Sequence, residues 1–177
     1  MFSLPITVDD KEFQDTMLAL EKRNMKIRPL LDRWNVWMIR SITMNFIQEG
    51  RPKKWAVLAK TTIAGRRKQS SRILQDTGRL RMSATVRSAP GNITRFSRDS
   101  LIMGSSLKQA AWLQYGTAPY TIRPKRKKVL RFKVAPNVYK FAKIVYHPGL
   151  VPRPFIGIQE EDEVELTRLA AEFSLEV

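Results

Sequence analysis

PLLDRWNVWMIRSITMNFIQ, residues 29–48, is the stretch on which the fold turns. Leu31, Trp34, Met38 and Ile42 recur at three- and four-residue spacing, the period of a helix that buries one face. Pro29 stands in a first-turn position, where its missing N–H does no harm, and Gly50-Arg51-Pro52 ends the pattern. Trp34 and Trp37 lie inside this amphipathic pattern and read as core packing rather than as exposed stacking platforms.

Working outward towards the N-terminus, 4–8 reads as a short edge strand, because Pro5 would spoil a central one. Asp9 or Asp10 then caps a helix running to about Arg23, with Phe13, Met17 and Leu20 on one face. In the other direction, 53–71 carries Trp55 and Leu58 and then thins into Gly65, Arg66, Arg67 and Lys68, a surface loop anchored by the tryptophan. Asp76 or Thr77 caps a short helix that carries Leu80 and ends near Ser83. From Ala84 the period becomes two: strands are expected at 85–88, 93–96 and 100–104, an antiparallel meander. A helix over 107–114 stops at Gly116. A basic extended loop over 120–128 leads into a strand at 129–134, with 140–146 as its partner. The final helix, 160–173, offers Val164, Leu166, Leu169 and Phe173 for burial, and its acidic first turn suits the helix dipole.

The expected architecture is α+β in one domain over 1–177: N-terminal helices at 9–49, a basic loop at 53–72, a sheet at 84–146 with a protruding basic hairpin at 120–146, and the C-terminal helix. No run approaches the roughly 18–20 apolar residues of a membrane span. The first ten residues lack the basic start and apolar run of a signal peptide, and the chain has no cysteine, so disulfides and thiol chemistry are excluded.

Charge is unevenly distributed along the chain. Between Arg51 and His147 stand 23 Lys and Arg against two acids, Asp76 and Asp99, whereas residues 148–177 hold two cations and seven acids. Blocks of one sign usually meet the opposite sign on a polyanion or on a neighbouring subunit. The run Arg123, Lys125, Arg126, Lys127, Lys128 therefore has two readings. It neutralises phosphates, or it is solvated or faces an acidic surface such as Glu160, Glu161, Asp162 and Glu163 of an adjacent copy. The chemistry of catalysis has little to stand on. The single histidine, His147, sits in a turn before Pro148, two isolated acids make a poor two-metal site, and no phosphate-cradling glycine loop is present.

Four separated segments carry a resemblance. They are Trp55-Ala56-Val57-Leu58 followed by Thr61 or Thr62; Leu74-Gln75-Asp76-Thr77-Gly78-Arg79-Leu80 to Ser83; Ala110 to Thr117 around Gly116; and 120–132 followed by His147-Pro148-Gly149 and Arg153-Pro154-Phe155. In order and spacing these resemble the phage virion morphogenesis family, the Mu-type tail completion proteins and related siphophage neck proteins. Trp112 departs from the residue relatives tend to carry there. The resemblance implies a non-enzymatic structural protein without cofactor or metal, acting in tail completion or head–tail joining. It also implies a virion location at the head–tail interface, after assembly in the bacterial host cytoplasm. Implied partners are copies of itself in a ring of hexamer-like symmetry, head connector or adaptor proteins, the tail tube or tail terminator, and packaged double-stranded DNA; no membrane is implied. On this reading Trp55, Thr77, Gly78, Leu80, Gly116, Arg153, Pro154 and Phe155 define the fold, with Phe155 under the sheet. Arg123, Lys125–Lys128 and Arg66, Arg67, Lys68 contact DNA or a partner ring, and Glu160–Glu163 contact the next subunit. The alternative is a basic, non-enzymatic nucleic-acid-binding module.

Overall fold

Helix α1 (Arg28–Ile47) forms the spine. The computed structural model describes residues 11, 14, 15, 18, 26–66, 68–135 and 137–176. The edge strand expected at 4–8 lies outside them; of the first expected helix only Lys11, Gln14, Asp15 and Leu18 are described, and these are helical. Pro29 occupies the first turn of α1, and Leu30, Leu31, Trp34, Met38, Ile42 and Phe46 are all buried, so the apolar period is the buried face. The helix stops where Gly50 donates its N–H to Asn45 O and Glu49 O accepts from Trp55 N, which turns the chain back onto the helix end.

Helix α2 (Lys60–Gly65) follows, a short helix with Ala64 buried where the sequence reading placed a loop. Helix α3 (Arg79–Thr85) begins at Gly78, not at a capping Asp76 or Thr77: Gly78 is its N-cap, and no side chain caps it. α3 takes Thr85 and ends at Val86, so the strand expected at 85–88 does not form. The β preference of Thr85 and Val86 is overridden by Leu80, Ser83 and Ala84, which are buried on the helix. Strands β1 (Asn92–Phe96) and β2 (Leu101–Ser105) form an antiparallel hairpin that packs on α3, with Ser83 Oγ hydrogen-bonded to Ser105 Oγ at 2.8 Å.

Helix α4 (Lys108–Tyr115) leads to β3 (Tyr120–Ile122), β4 (Leu130–Ala135), β5 (Val138–Ala142) and β6 (Val145–His147). Among the described residues the strands are antiparallel throughout, but they make three separate two-stranded ladders rather than one continuous meander. β4 pairs with β5 and β3 with β6, so residues 120–147 are a hairpin nested within a hairpin. The expected partner strand at 140–146 is therefore divided: its first part extends back to Val138 and serves β4, and its last part serves β3. β4 packs against α2, the element the sequence reading missed. A two-stranded ladder alone is marginal in water, and that contact gives the hairpin a backing.

Helix α5 (Glu160–Leu175) closes the molecule by packing along α1. Leu166 and Phe173 are buried and Leu169 partly so, but Val164 is 71% exposed, contrary to its expected burial. The α+β class holds, with helices before, between and after the ladders.

Candidate interaction surfaces

The separated motif segments meet at the C-terminal end of α1. Trp55 is buried, donates its indole N–H to Pro154 O at 3.0 Å, and stands edge-on to Phe46. Phe155 is fully buried against the same Phe46 ring at 5.6 Å, so it packs on α1 rather than under the sheet. The Arg153 guanidinium donates to Ala56 O at 2.9 and 3.1 Å, and Gln114 Oε1 accepts from the N–H groups of Phe155 and Ile156. Three stretches far apart in sequence are thereby clasped together.

Beside this clasp lies a groove of ≈ 500 Å³. Its apolar lining includes Leu58, Leu74, Leu80, Leu113 and Leu150, and its polar lining includes Arg66, Arg79, Arg153, His147, Thr77 and Asp76. Every one of the four motif segments contributes to it. Arg66 donates to Ser70 O and Arg72 O, so both it and Arg153 are held by carbonyls, with no carboxylate partner among the described residues. Burial, and then the charge of Arg66, hold the Arg153 guanidinium below its ordinary range. His147 ends β6 opposite Tyr120 rather than lying in the turn: its Nδ1 accepts from Gly149 N at 3.0 Å and its ring stacks on Tyr120.

Gly78 adopts φ +74 at the start of α3, and a Cβ there would meet nothing within 4 Å; its backbone conformation alone is at stake. Gly116 has φ +76 and a Cβ would come within 2.4 Å of Leu150 O, at the bridge where Thr117 pairs with Leu150. Thr77 Oγ1 lies 3.5 Å from Arg79 N, at the limit of a hydrogen bond.

The nested hairpins present a different surface. Residues 120–147 contain nine Lys and Arg and no acid, and none of the nine takes part in an ion pair among the described residues. Arg123, Lys125, Arg126, Lys127 and Lys128 are all exposed at the connection between the two ladders. Exposed aromatic rings lie among them: Tyr120, Phe132, Tyr139, Phe141 and Tyr146. Arg131 stacks over Tyr139 at 3.9 Å. Of the other basic residues expected to join this surface, Arg66 lines the groove instead, Lys68 is exposed and Arg67 lies outside the described residues.

The acidic first turn of α5 does not act as one unit. Asp162 is fully buried; it accepts from Trp37 Nε1 at 3.0 Å, Ser41 Oγ at 2.6 Å and Gln159 N at 3.0 Å. It is an internal tie between α1 and α5 and has no surface to offer a second subunit, which corrects its expected role. Glu161 pairs with Arg51, whose guanidinium also reaches Asn45 Oδ1, Ser41 O and Ser41 Oγ. Arg51, counted by sequence within the basic block, is thus a structural cation. The sequence did carry a signal for Asp162: it stands one helical turn before Leu166 on the stripe completed by Ala170 and Phe173. Nothing in the pattern marks Arg51.

Short antiparallel ladders bracketed by helices, with motif segments converging on one clasp and one groove, define a small α+β protein whose distinctive surface features are that groove and an exposed cationic hairpin. The chain belongs to the phage virion morphogenesis family, whose model matches residues 8–173. It is a virion-associated protein with a structural or assembly role in a phage. No curated protein and no solved structure matches it. No helix among the described residues is long and apolar enough to cross a membrane.

Proposed function

We propose that this protein acts in tail completion, joining head to tail as part of a ring of copies at the connector–tail interface around the DNA channel. It resembles the Mu-type tail completion proteins in this respect and works without catalysis or cofactor, assembling in the host cytoplasm. Its partners are copies of itself, connector or adaptor proteins on the head side, the tail tube or terminator on the tail side, and packaged duplex DNA. The observation that carries this reading, together with the family, is the nested hairpin with its nine cations, none of them ion-paired among the described residues. A ring that projects such hairpins presents a positive surface to packaged DNA or to an acidic partner ring.

Reversing the charge of Arg123, Lys125, Arg126, Lys127 and Lys128 to Glu tests it. These side chains are exposed, so the variant folds, while heads and tails accumulate unjoined in infected cells. Normal infectious particles from that variant would sink the proposal. The stacked Arg131–Tyr139 pair favours a second reading, a nucleic-acid-binding module without an assembly role. That reading requires particles to join normally, while the isolated chain binds DNA with an affinity that falls steeply with salt.

A further inference from the structure

The α5 helix and its C-cap residue carry seven carboxylates, and five are engaged within the chain: Glu161 with Arg51, Asp162 with α1, Glu165 and Glu172 with Arg168, and Glu176 with Arg33. Glu160 and Glu163 are the two that remain, both exposed and in no ion pair among the described residues. Spacings of three and four place Glu160, Glu163 and Val164 on one outward face, and Val164 is 71% exposed. The molecule thus shows a small acidic knob with an apolar centre.

Its complement is on the same chain. The groove offers leucine side chains below and Arg66, Arg79 and Arg153 around them, against one carboxylate, Asp76. Arg79 is exposed and makes no side-chain hydrogen bond or ion pair among the described residues. We propose that the groove of one copy receives the first turn of α5 from a second copy, Val164 entering among the leucines and Glu160 and Glu163 meeting the arginine rim. Groove and knob are different patches, so the contact is heterologous and propagates from copy to copy into a ring or an open filament. Burial, and then the charge of Arg66, depress the Arg153 guanidinium, and an incoming carboxylate offsets the second of these. The inference deepens the ring in the assembly reading and rests on it.

The test is complementation between two broken surfaces, read as molar mass by light scattering. Arg79→Glu removes the groove's free cation, and the pair Glu160→Arg and Glu163→Arg inverts the knob. The wild-type chain is expected to form species larger than a monomer, and each variant alone to be monomeric. A mixture of the two retains one good groove and one good knob, so it forms a complex of at least two chains. Circular dichroism checks folding; Arg79→Ala and Glu160→Gln with Glu163→Gln replace any variant that loses its helix signal. A wild-type chain that stays monomeric at all concentrations, variants that still assemble, or a mixture without a complex each overturn the contact. Joined, infectious particles from variants whose chains no longer self-associate would instead sink the ring reading and leave the groove contact standing.

Discussion

Gly78 and Gly116 have nearly equal φ angles, +74 and +76, but different surroundings. At Gly78 an added methyl meets open space, so Gly78→Ala carries only the left-handed backbone penalty, about 1–2 kcal/mol. At Gly116 ψ is −173, an extended backbone at positive φ that is essentially confined to glycine; a collision with Leu150 O adds to that strain, and the bridge between Thr117 and Leu150 has to move. Gly116→Ala is therefore expected to cost roughly 3 kcal/mol or more, in the range of strain combined with overpacking. Urea unfolding of both variants checks this, and equal losses would show that the collision relaxes freely. The sequence marked both glycines as special, because a glycine at a helix edge is visible; only the coordinates separate conformation from crowding.

At the scale of elements, the α1–α5 seam is a packed stripe with a polar knot at one end. Trp34 donates its indole N–H to Leu166 O, while Trp37, Ser41 and the backbone of Gln159 converge on Asp162, with Arg51 alongside. Asp162→Ala leaves those donors without an acceptor in a buried place. The expected loss is about 3–5 kcal/mol by analogy with breaking one side of a buried ionic network. Asp162→Asn keeps an oxygen and should lose less, about 1–3 kcal/mol. Thermal or urea unfolding of the two variants tests the order. The end of the same helix is tied by exposed pairs: the hydrogen bond from Arg33 holds Glu176 below the ordinary carboxylate range. That contribution is complete above the unfolded carboxylate value and lost as pH falls through the lowered one, and at this exposed position it is small.

These helices were the most legible part of the sequence, since α1 combines a sustained 3.6-residue period with a proline start and a glycine stop. The ladders were legible as strands but not in their pairing. Each is three to six residues long, and with β3 only Tyr120–Ile122 no alternation distinguishes one partner from another. The strand read at 85–88 failed because burial of Leu80, Ser83 and Ala84 outweighs the local preference of Thr85 and Val86. Among the site residues, the basic loop was visible as charge alone. The groove was not visible, since it exists only where four distant segments meet.

For the whole molecule the governing fact is a net charge of +16 concentrated in its middle. Five ion pairs are made among the described residues, and they engage only Arg28, Arg33, Arg51 and Arg168 from outside the hairpins. Repulsion among the nine hairpin cations therefore opposes the compact state, and added salt screens it over a Debye length of about 8–10 Å near physiological ionic strength. The melting temperature of the Arg79→Glu chain, expected to be monomeric, should rise as sodium chloride is increased from low levels. A melting temperature that falls would show attraction, not repulsion, dominating the chain's own electrostatics.

The clasp of Trp55 and Ala56 with Arg153, Pro154 and Phe155 has a consequence for how such a molecule can vary. Inside the span that it closes, residues 118–149 depart from and return to the bridge of Thr117 with Leu150, like a tether with both ends pinned. The entropic cost of closing a tether grows only with the logarithm of its length, about 0.6 kcal/mol per doubling. The excursion that carries the cationic hairpins can thus be lengthened or shortened to reach a differently sized neighbour, while the pinned ends stay as they are.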